Sequence, residues 1–543
     1  MARIRSSLPG TGNYDLLGES RRLAFRDVIV GEHRLNRGTA QVAVTDPGAV
    51  EGEAQVRRAW QMGLLPTTLP EDAPVVHLGW PTHGPFVMAP HGVYFDGYLA
   101  VAQKVLDEHH VRFRRMLDDL DEAGVLLRRE IVTDDYLAPD PDRIVKTPSD
   151  LAAAWGGALQ ARWSRPEGWK AFFSSSGAEA VEAALKIAFQ TAYKRFVHRF
   201  GMDRLRQVAH ELGLREASYF LHDPGLPGVP VFDDYPFQVV ACEGAFHGRT
   251  LGALSATWSK RAHRLGYPRA WQVQHVPYND PGDPLRERID ARDLATLLAE
   301  PGLLRRVVRE ERRIPKDLFA GFLAEPFQGE GGYVPGDPGF FARARAVCDE
   351  HDALLMVDEV QSVARTGRLL MTEHLGVTPD VVVTAKSMVI GVTMARGDVA
   401  PHCHEGWHSN TWGAGRVLDT NFAWTTLDLL LHHKEPAFQG LDYLANCEVK
   451  GAMLADGLDR LAEKHPHHLV GHRGVGLMQA MLVRDRPRVV ATAWKHGLKL
   501  LGCGWGGDVA PIRLLLLADT TAREVDELLR VLDATFSALD GSR

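Results

Sequence analysis

The apolar positions of this chain follow two periods. Short, mostly apolar runs at Ala171–Phe173, Phe237–Ala241 (which includes Gln238), Phe319–Ala324, Leu354–Val357 and Val381–Val383 are bounded by breakers or charges and predict buried strands. Between the first two, Val181, Leu185, Ala188 and Ala192 recur at helical spacing behind the small-residue turn Ser174–Gly177. A long helix is predicted from Asn421 (NFAWTTLDLLLHH). From about Asp442 the pattern changes to an amphipathic helix, a strand-like GVGLMQAMLV, a short RVVATAWKHG helix, an IRLLLLA strand and a final helix. That last helix opens with Thr521 three residues before Glu524, a capping-box spacing. Strands alternating with helices predict an α/β fold with a parallel sheet.

The N-terminal part is punctuated by Gly and Pro, as in Leu78–Leu99, and predicts irregular loops. A helical period follows from Leu99 to about Leu127, with Val101, Val105 and Leu106 on one face and Phe113, Met116, Leu117 and Leu120 on the next. Residues 200–236 read as an insertion, a helical piece and then a Pro/Gly-rich stretch. Three regions emerge: an atypical N-terminal segment at 1–150, a large domain at 151–430 and a smaller C-terminal domain at 431–543.

Composition narrows the function without naming it. The chain has 543 residues, 45% of them hydrophobic and 24% charged, which is ordinary for a globular protein. A net charge of −7 offers no general attraction to nucleic acid or anionic membrane, and small-molecule chemistry is favoured. Five scattered cysteines without a C-x-x-C pair suggest neither a disulfide framework nor a structural zinc site, and suit a reducing cytoplasm. No apolar run is long enough to span a bilayer. The histidines at 402, 404 and 408 with Cys403, and those at 465, 467, 468 and 472, match no standard zinc spacing, so no metal is predicted. The run Arg305–Arg313 reads as a solvated helical face.

The candidate chemistry gathers where strands end. Leu354–Val357 delivers Asp358 and Val381–Val383 delivers Lys386, with an interval that suits a crossover helix. Parallel strands joined in this way present their C-terminal ends to one crevice. A lysine amine there can attack a carbonyl and hold it as a Schiff base, and a carboxylate can keep a pyridine nitrogen protonated. Taken alone, both residues read equally well as solvent-facing charges. The turn at Ser176, Gly177 and Ala178 opens a helix whose unpaired N–H groups suit a phosphate, although such residues also serve as plain caps. Phe246 is placed to stack on a planar ring and Arg249 to clamp a carboxylate, against the ordinary fates of core aromatic and surface cation. Glu325 and Glu330 stand at and beyond the end of Phe319–Ala324, among the flexible glycines Gly329, Gly331 and Gly332.

In combination, SGAEAVEAALK, GAFHGRT, AEPFQGEGG, DEVQ with RTG, PD followed by AKS, NTWG and a late IR resemble the class III (omega) pyridoxal-phosphate aminotransferases of fold type I. The stretch after Lys386 and the SNTWG motif are most similar to lysine 6-aminotransferases. The resemblance implies a large domain with a mostly parallel, seven-stranded-type sheet flanked by helices, plus a smaller α/β domain. It implies that Lys386 holds the cofactor as an aldimine and moves the proton, that Asp358 pairs with the ring nitrogen, and that Gln361 bonds the phenolic oxygen. Phe246 and Val360 would sandwich the ring. Ser176, Gly177 and Ala178 would hold the phosphate together with Thr411 of a second subunit, with Glu325 also at the cofactor. Arg249 would take the substrate carboxylate remote from the amine. Arg513 would take the carboxylate beside it, with Glu330 masking Arg513 when a donor lacks that group.

The implied reaction is amino transfer from an ω-amine or lysine-type donor to a 2-oxo acid such as 2-oxoglutarate or pyruvate, in a homodimer. Racemases, epimerases and aminomutases share the fold and the lysine, and a non-catalytic relative is the remaining alternative. The chain departs from the pattern at SVA between Gln361 and Arg365, at LLLLA after Arg513, at Gly415, and in residues 1–150, which lack the usual signatures.

Overall fold

The protein is described here by a computed structural model, which covers residues 82–540 apart from 84, 90–91, 98, 100–102, 108–109, 127–137, 141, 216–233, 404–405, 410–414 and 435–437. The chain divides into two compact units. The larger comprises Asp119–Val363 and Arg368–His432. Its principal elements are α1 (Pro148–Arg162), β1 (Trp169–Ser174), α2 (Gly177–Phe200), α3 (Met202–Leu212), β2 (Gln238–Cys242), β3 (Val273–Val276), β4 (Phe319–Ala324), α4 (Pro338–Glu350), β5 (Leu354–Asp358), β6 (Val381–Thr384), β7 (Gly391–Arg396) and α5 (Val417–His432).

The seven strands form one sheet in the order β1-β7-β6-β5-β4-β2-β3. All neighbours are parallel except β7, which runs antiparallel to β6 and β1. The five predicted runs are all strands of this sheet, and apart from Gln238 they lack polar side chains, as suits a sheet covered on both faces. One face carries α2: Ala180, Val181, Ala184, Leu185, Ile187 and Ala188 share a core with Leu323, Leu354, Met356, Val381 and Val383. Fully burying each of the larger of these, the valines, leucines, isoleucine and methionine, contributes ~1.5–3 kcal/mol. Phe322 is also buried, and its ring meets Phe340 of α4 edge-on at 6.1 Å.

The N-terminal edge of β6 is pinned by buried Asp380. It meets Arg345 at 2.6 Å, Arg396 at 3.0 Å and Arg165 at 3.5 Å, and accepts the backbone N–H of Leu355 at 2.8 Å. This accounts for the aspartate of the PD motif, and it leaves the opposite strand ends to carry the chemistry.

The crossover helix expected between β5 and β6 is not formed. That connection holds one short helix, Thr372–Leu375, and its residues Ala364–Gly367 belong to the smaller unit. Buried Glu359 organises the remainder. It accepts from Ser362 Oγ, from Thr372 Oγ1 at 2.6 Å, and from the N–H groups of Met371 and Thr372 at 3.0 and 2.7 Å. A length that suits a helix was filled by turns tied to one carboxylate.

The smaller unit contains the described residues up to Asp118, Ala364–Gly367 and the chain from His433. Its C-terminal part comprises α6 (Tyr443–Lys464), β8 (Leu469–Val475), β9 (Met478–Val483), α7 (Arg486–Lys495), β10 (Leu501–Gly502), β11 (Ala510–Leu515) and α8 (Ala522–Asp540). The sheet order is β8-β9-β11-β10, all antiparallel. The stretch GVGLMQAMLV is therefore a hairpin rather than one strand, turning at Gly476 with φ +56°. The capping box at Thr521 is present: the Thr521 N–H donates to Glu524 Oε2 at 2.8 Å, and the Glu524 N–H to Thr521 Oγ1 at 3.4 Å.

Three short strands at Thr82–His83, Phe86–Ala89 and Gly92–Asp96 form a meander, and Leu498–Lys499 adds in parallel to the last of them. Of the helix expected from Leu99 to Leu127, the described part is helical over Val111–Glu122, burying Phe113, Met116 and Leu120, while Val101 lies outside the described residues. Val105 and Leu106 are buried without being helical. His465 and His468 bond Asp533 and Asp540 of α8, and among the described residues no group of three side chains could hold a metal. No helix among the described residues is long and apolar enough to cross a membrane.

Candidate active site

The C-terminal ends of β4, β5 and β6 bring three chargeable groups together. Asp358 ends β5 and is buried. Its Oδ1 accepts the N–H of Val360 at 3.1 Å, and its Oδ2 lies 2.8 Å from Nδ1 of His247. An ionised carboxylate only accepts, so Nδ1 carries the proton and His247 is the donor. The side chain of His247 is fully buried, and its Nε2 has no hydrogen-bond partner among the described residues.

Glu325 follows β4 and is buried. Its two oxygens accept the N–H groups of Phe246 at 2.9 Å and Gly329 at 3.2 Å. Burial pushes its pKa well up, and the neighbouring Asp358 pushes it further, while the two N–H bonds and Lys386 oppose the shift. Lys386 stands just after β6 in a short 3-10 turn, with φ +46°, and Val389 closes the turn at φ +66°. Two non-glycine residues in the left-handed region are a local strain that the surrounding strands hold in place.

The turn before α2 lies against this group. Ser176 is the N-cap, its hydroxyl accepting from the Glu179 N–H at 3.3 Å, and the Ser175 N–H donates to Glu179 Oε2 at 2.7 Å. The first N–H groups of α2, including those of Gly177 and Ala178, have no intrahelical acceptor by helix geometry. A Cβ on Gly177 would sit 3.1 Å from both methyls of Val360 and 3.3 Å from the Cβ of Ala385, so the helix start lies against Val360, two residues after Asp358, and against Ala385, the residue before Lys386. Gly248, at φ +129°, brings the Phe246–His247 segment onto the same helix start, since a Cβ there would lie 2.5 Å from that of Ala178. Buried Gln361 lies against Gly329.

Phe246 is half-buried, with the His263 ring edge-on at 5.4 Å and the Arg249 guanidinium 5.8 Å above it. Arg249 is exposed, with Nη2 3.1 Å from His263 Nε2. Glu330 pairs with Lys260 at 3.1 Å. Arg513 lies in the smaller unit, buried on β11, and donates to the Gly502 carbonyl at 3.3 Å. Thr411 falls outside the described residues. Sequence reasoning missed His247 and Lys260. The first stood in plain sight between Phe246 and Arg249 within GAFHGRT, whereas the second had no local signal.

Residues 149–536 match the family model described as "Aminotransferase class-III". The chain is a class-III aminotransferase. Acetylornithine aminotransferase of Gloeobacter violaceus is 33% identical over 68% of the chain and 74% of its own length. That of Parasynechococcus marenigrum is 32% identical over 68% and 73%. Among solved structures, the lysine aminotransferase of M. tuberculosis is 26% identical, with a TM-score of 0.63 over 90% of this chain and 99% of that one. This aminotransferase is thus a fold-type I enzyme that uses pyridoxal 5'-phosphate to transfer amino groups between amines or amino acids and oxo acids. Its larger unit offers what that cofactor needs: a helix start for a dianion, a lysine amine, and a buried carboxylate with a second hydrogen-bonding side chain behind it.

Proposed function

We propose that this aminotransferase takes its amino group from an ω-amine or a lysine-type donor, whose carboxylate is remote from the reacting nitrogen, and passes it to a 2-oxo acid such as 2-oxoglutarate or pyruvate. The observation that carries this reading is Arg249: an exposed guanidinium poised above Phe246, free of any carboxylate at less than 4 Å among the ion pairs of the described residues, in reach of a ligand carboxylate. Bound pyridoxal phosphate supplies the electron sink for the carbon that loses its proton.

In this reading Asp358, steadied by His247, holds the proton on the ring nitrogen. Phe246, Val360 and Gln361 would hold the cofactor's ring. Ser176, Gly177 and Ala178 receive the phosphate, while Glu325 fixes the Phe246 and Gly329 loops around it. Lys386 would hold the cofactor through its amine and would accept and return the donor's proton. Arg513 takes the carboxylate beside the keto carbon of 2-oxoglutarate. We further infer a homodimer, on the resemblance of the SNTWG segment containing Thr411, and a reducing cytoplasm, which suits five free thiols.

The test is borohydride fixation of the cofactor together with a donor panel of lysine, ornithine, 4-aminobutyrate and simple amines. The wild type should retain cofactor covalently after reduction and Lys386→Ala should not. Donors with a remote carboxylate should outpace simple amines, with keto acid consumed. Inversion of a donor without consumption of the acceptor would replace this reading by racemisation.

A further inference from the structure

The loop that carries Phe246 and Arg249 is tied to the segment after it by a chain of hydrogen bonds that closes on Arg249 itself. The Ala245 carbonyl accepts the N–H groups of Trp258 at 2.7 Å and Ser259 at 3.0 Å. Ser259 is buried, and its Oγ lies 3.1 Å from Nδ1 of His263, within the one-turn helix Arg261–Arg264. Nε2 of the same ring lies 3.1 Å from Nη2 of Arg249. A guanidinium has donors only, so Nε2 is the acceptor and Nδ1 carries the proton donated to Ser259. That arrangement needs a neutral imidazole, and the surroundings favour one: burial, and then the cations Arg249 and Lys260, hold the His263 pKa below its ordinary value, with Glu330 opposing. The ring also meets Phe246 edge-on at 5.4 Å, so it braces both residues of the loop.

We infer that His263 is a positioning residue for Arg249: its Nε2 accepts from the guanidinium and holds it, already oriented, for the remote carboxylate of the donor. The inference rests on the reading of Arg249 as the group that takes that carboxylate. Arg249 is exposed, and among the described residues His263 is its hydrogen-bond partner. A long exposed side chain loses rotamer freedom when a ligand fixes it, and a bond already made in the free enzyme removes part of that cost. His263 acts on the donor through Arg249 alone, so its effect belongs in affinity rather than in the rate of proton transfer, and only for donors that bring a carboxylate to Arg249.

The experiment uses the full-length holoenzyme and follows the donor half-reaction by cofactor absorbance. Lysine, ornithine and 4-aminobutyrate are the donors with a remote carboxylate, and butylamine is the donor without one. His263→Phe keeps a ring against Phe246 and removes the acceptor. It should raise the half-saturating concentration of the carboxylate donors about fivefold, with the limiting rate nearly unchanged and butylamine unaffected. His263→Gln, whose amide oxygen can accept from the guanidinium, should stay within about twofold of wild type. Ser259→Ala, which keeps the imidazole but removes its Nδ1 partner, should shift the same donors in the same direction by less, and it decides the question if His263→Phe does not yield holoenzyme. Unchanged saturation in these variants, an equal rise for butylamine, or a His263→Gln variant as impaired as His263→Phe would overturn the inference. If Arg249→Gln also left the carboxylate donors unchanged, the underlying reading of Arg249 would fall instead.

Discussion

Replacing His247 by phenylalanine removes one side-chain donor from Asp358 while keeping the buried volume nearly filled. The bond lost is a 2.8 Å contact from imidazole Nδ1–H to a carboxylate oxygen, with the histidine side chain fully buried and the aspartate almost so. Bonds to charged groups in such surroundings contribute ~1.5–3 kcal/mol, which corresponds to roughly a 10- to 100-fold effect on whatever depends on the carboxylate. Asp358 would keep the Val360 N–H, and so remain in place but less well held.

The cofactor dissociation constant, from titration of stripped protein by absorbance, should rise by about that factor in His247→Phe, with a parallel fall in the half-reaction rate for every donor. His247→Gln, whose amide N–H can still donate, should lose less. Thermal unfolding of the cofactor-free variants serves to separate a site effect from a folding effect. If His247→Phe bound cofactor and reacted within about twofold of wild type while melting lower, His247 would be a core residue only, and the reasoning from the Asp358 contact would be refuted.

Two further outcomes follow from the geometry. His275 donates to the Ala256 carbonyl at 2.9 Å, and burial, the largest cause, lowers its pKa from 6.5 to about 4. Its folded pKa lies below its unfolded one, so stability is full above pH 6.5 and is lost as pH falls toward 4. The loss should reach ~3 kcal/mol in denaturant unfolding and be largely absent in His275→Gln, and parallel pH profiles for the two proteins would exclude the effect. Arg513→Ala should raise KM for 2-oxoglutarate about tenfold or more, and unchanged kinetics with that acceptor would remove Arg513 from the site.

What the chain disclosed in advance depended on range. Leu354–Val357 and Val381–Val383 were legible because a strand covered on both faces has to be apolar at every position, and that pattern is local. The start of α2 was legible because Ser176 and Gly177 break the strand just where the apolar stripe changes period. The missing crossover helix illustrates the opposite case: interval length alone cannot report that Glu359 gathers Ser362, Met371 and Thr372 into turns, or that Ala364–Gly367 join another unit. The hairpin at Gly476 was written in GVG and lost by reading the apolar residues across it. Contacts between distant segments left no trace: His247 and Asp358 are 111 residues apart, and Lys260 and Glu330 are 70 apart.

Those distant contacts also separate two carboxylates that look alike in sequence, each following a buried strand of the same sheet. Both oxygens of Glu325 are taken by backbone N–H groups of two loops, and burial favours its protonated form. It is therefore suited to anchoring the loops that carry Phe246 and Gly329, and poorly suited to holding a cation. Asp358 gives only one oxygen to the backbone, while the other accepts the Nδ1–H of His247. A carboxylate tied on one side by a side chain can keep its charge and direct it outward, which is what a protonated ring nitrogen requires. The division of labour between the two residues is set by what bonds them rather than by where they fall along the chain.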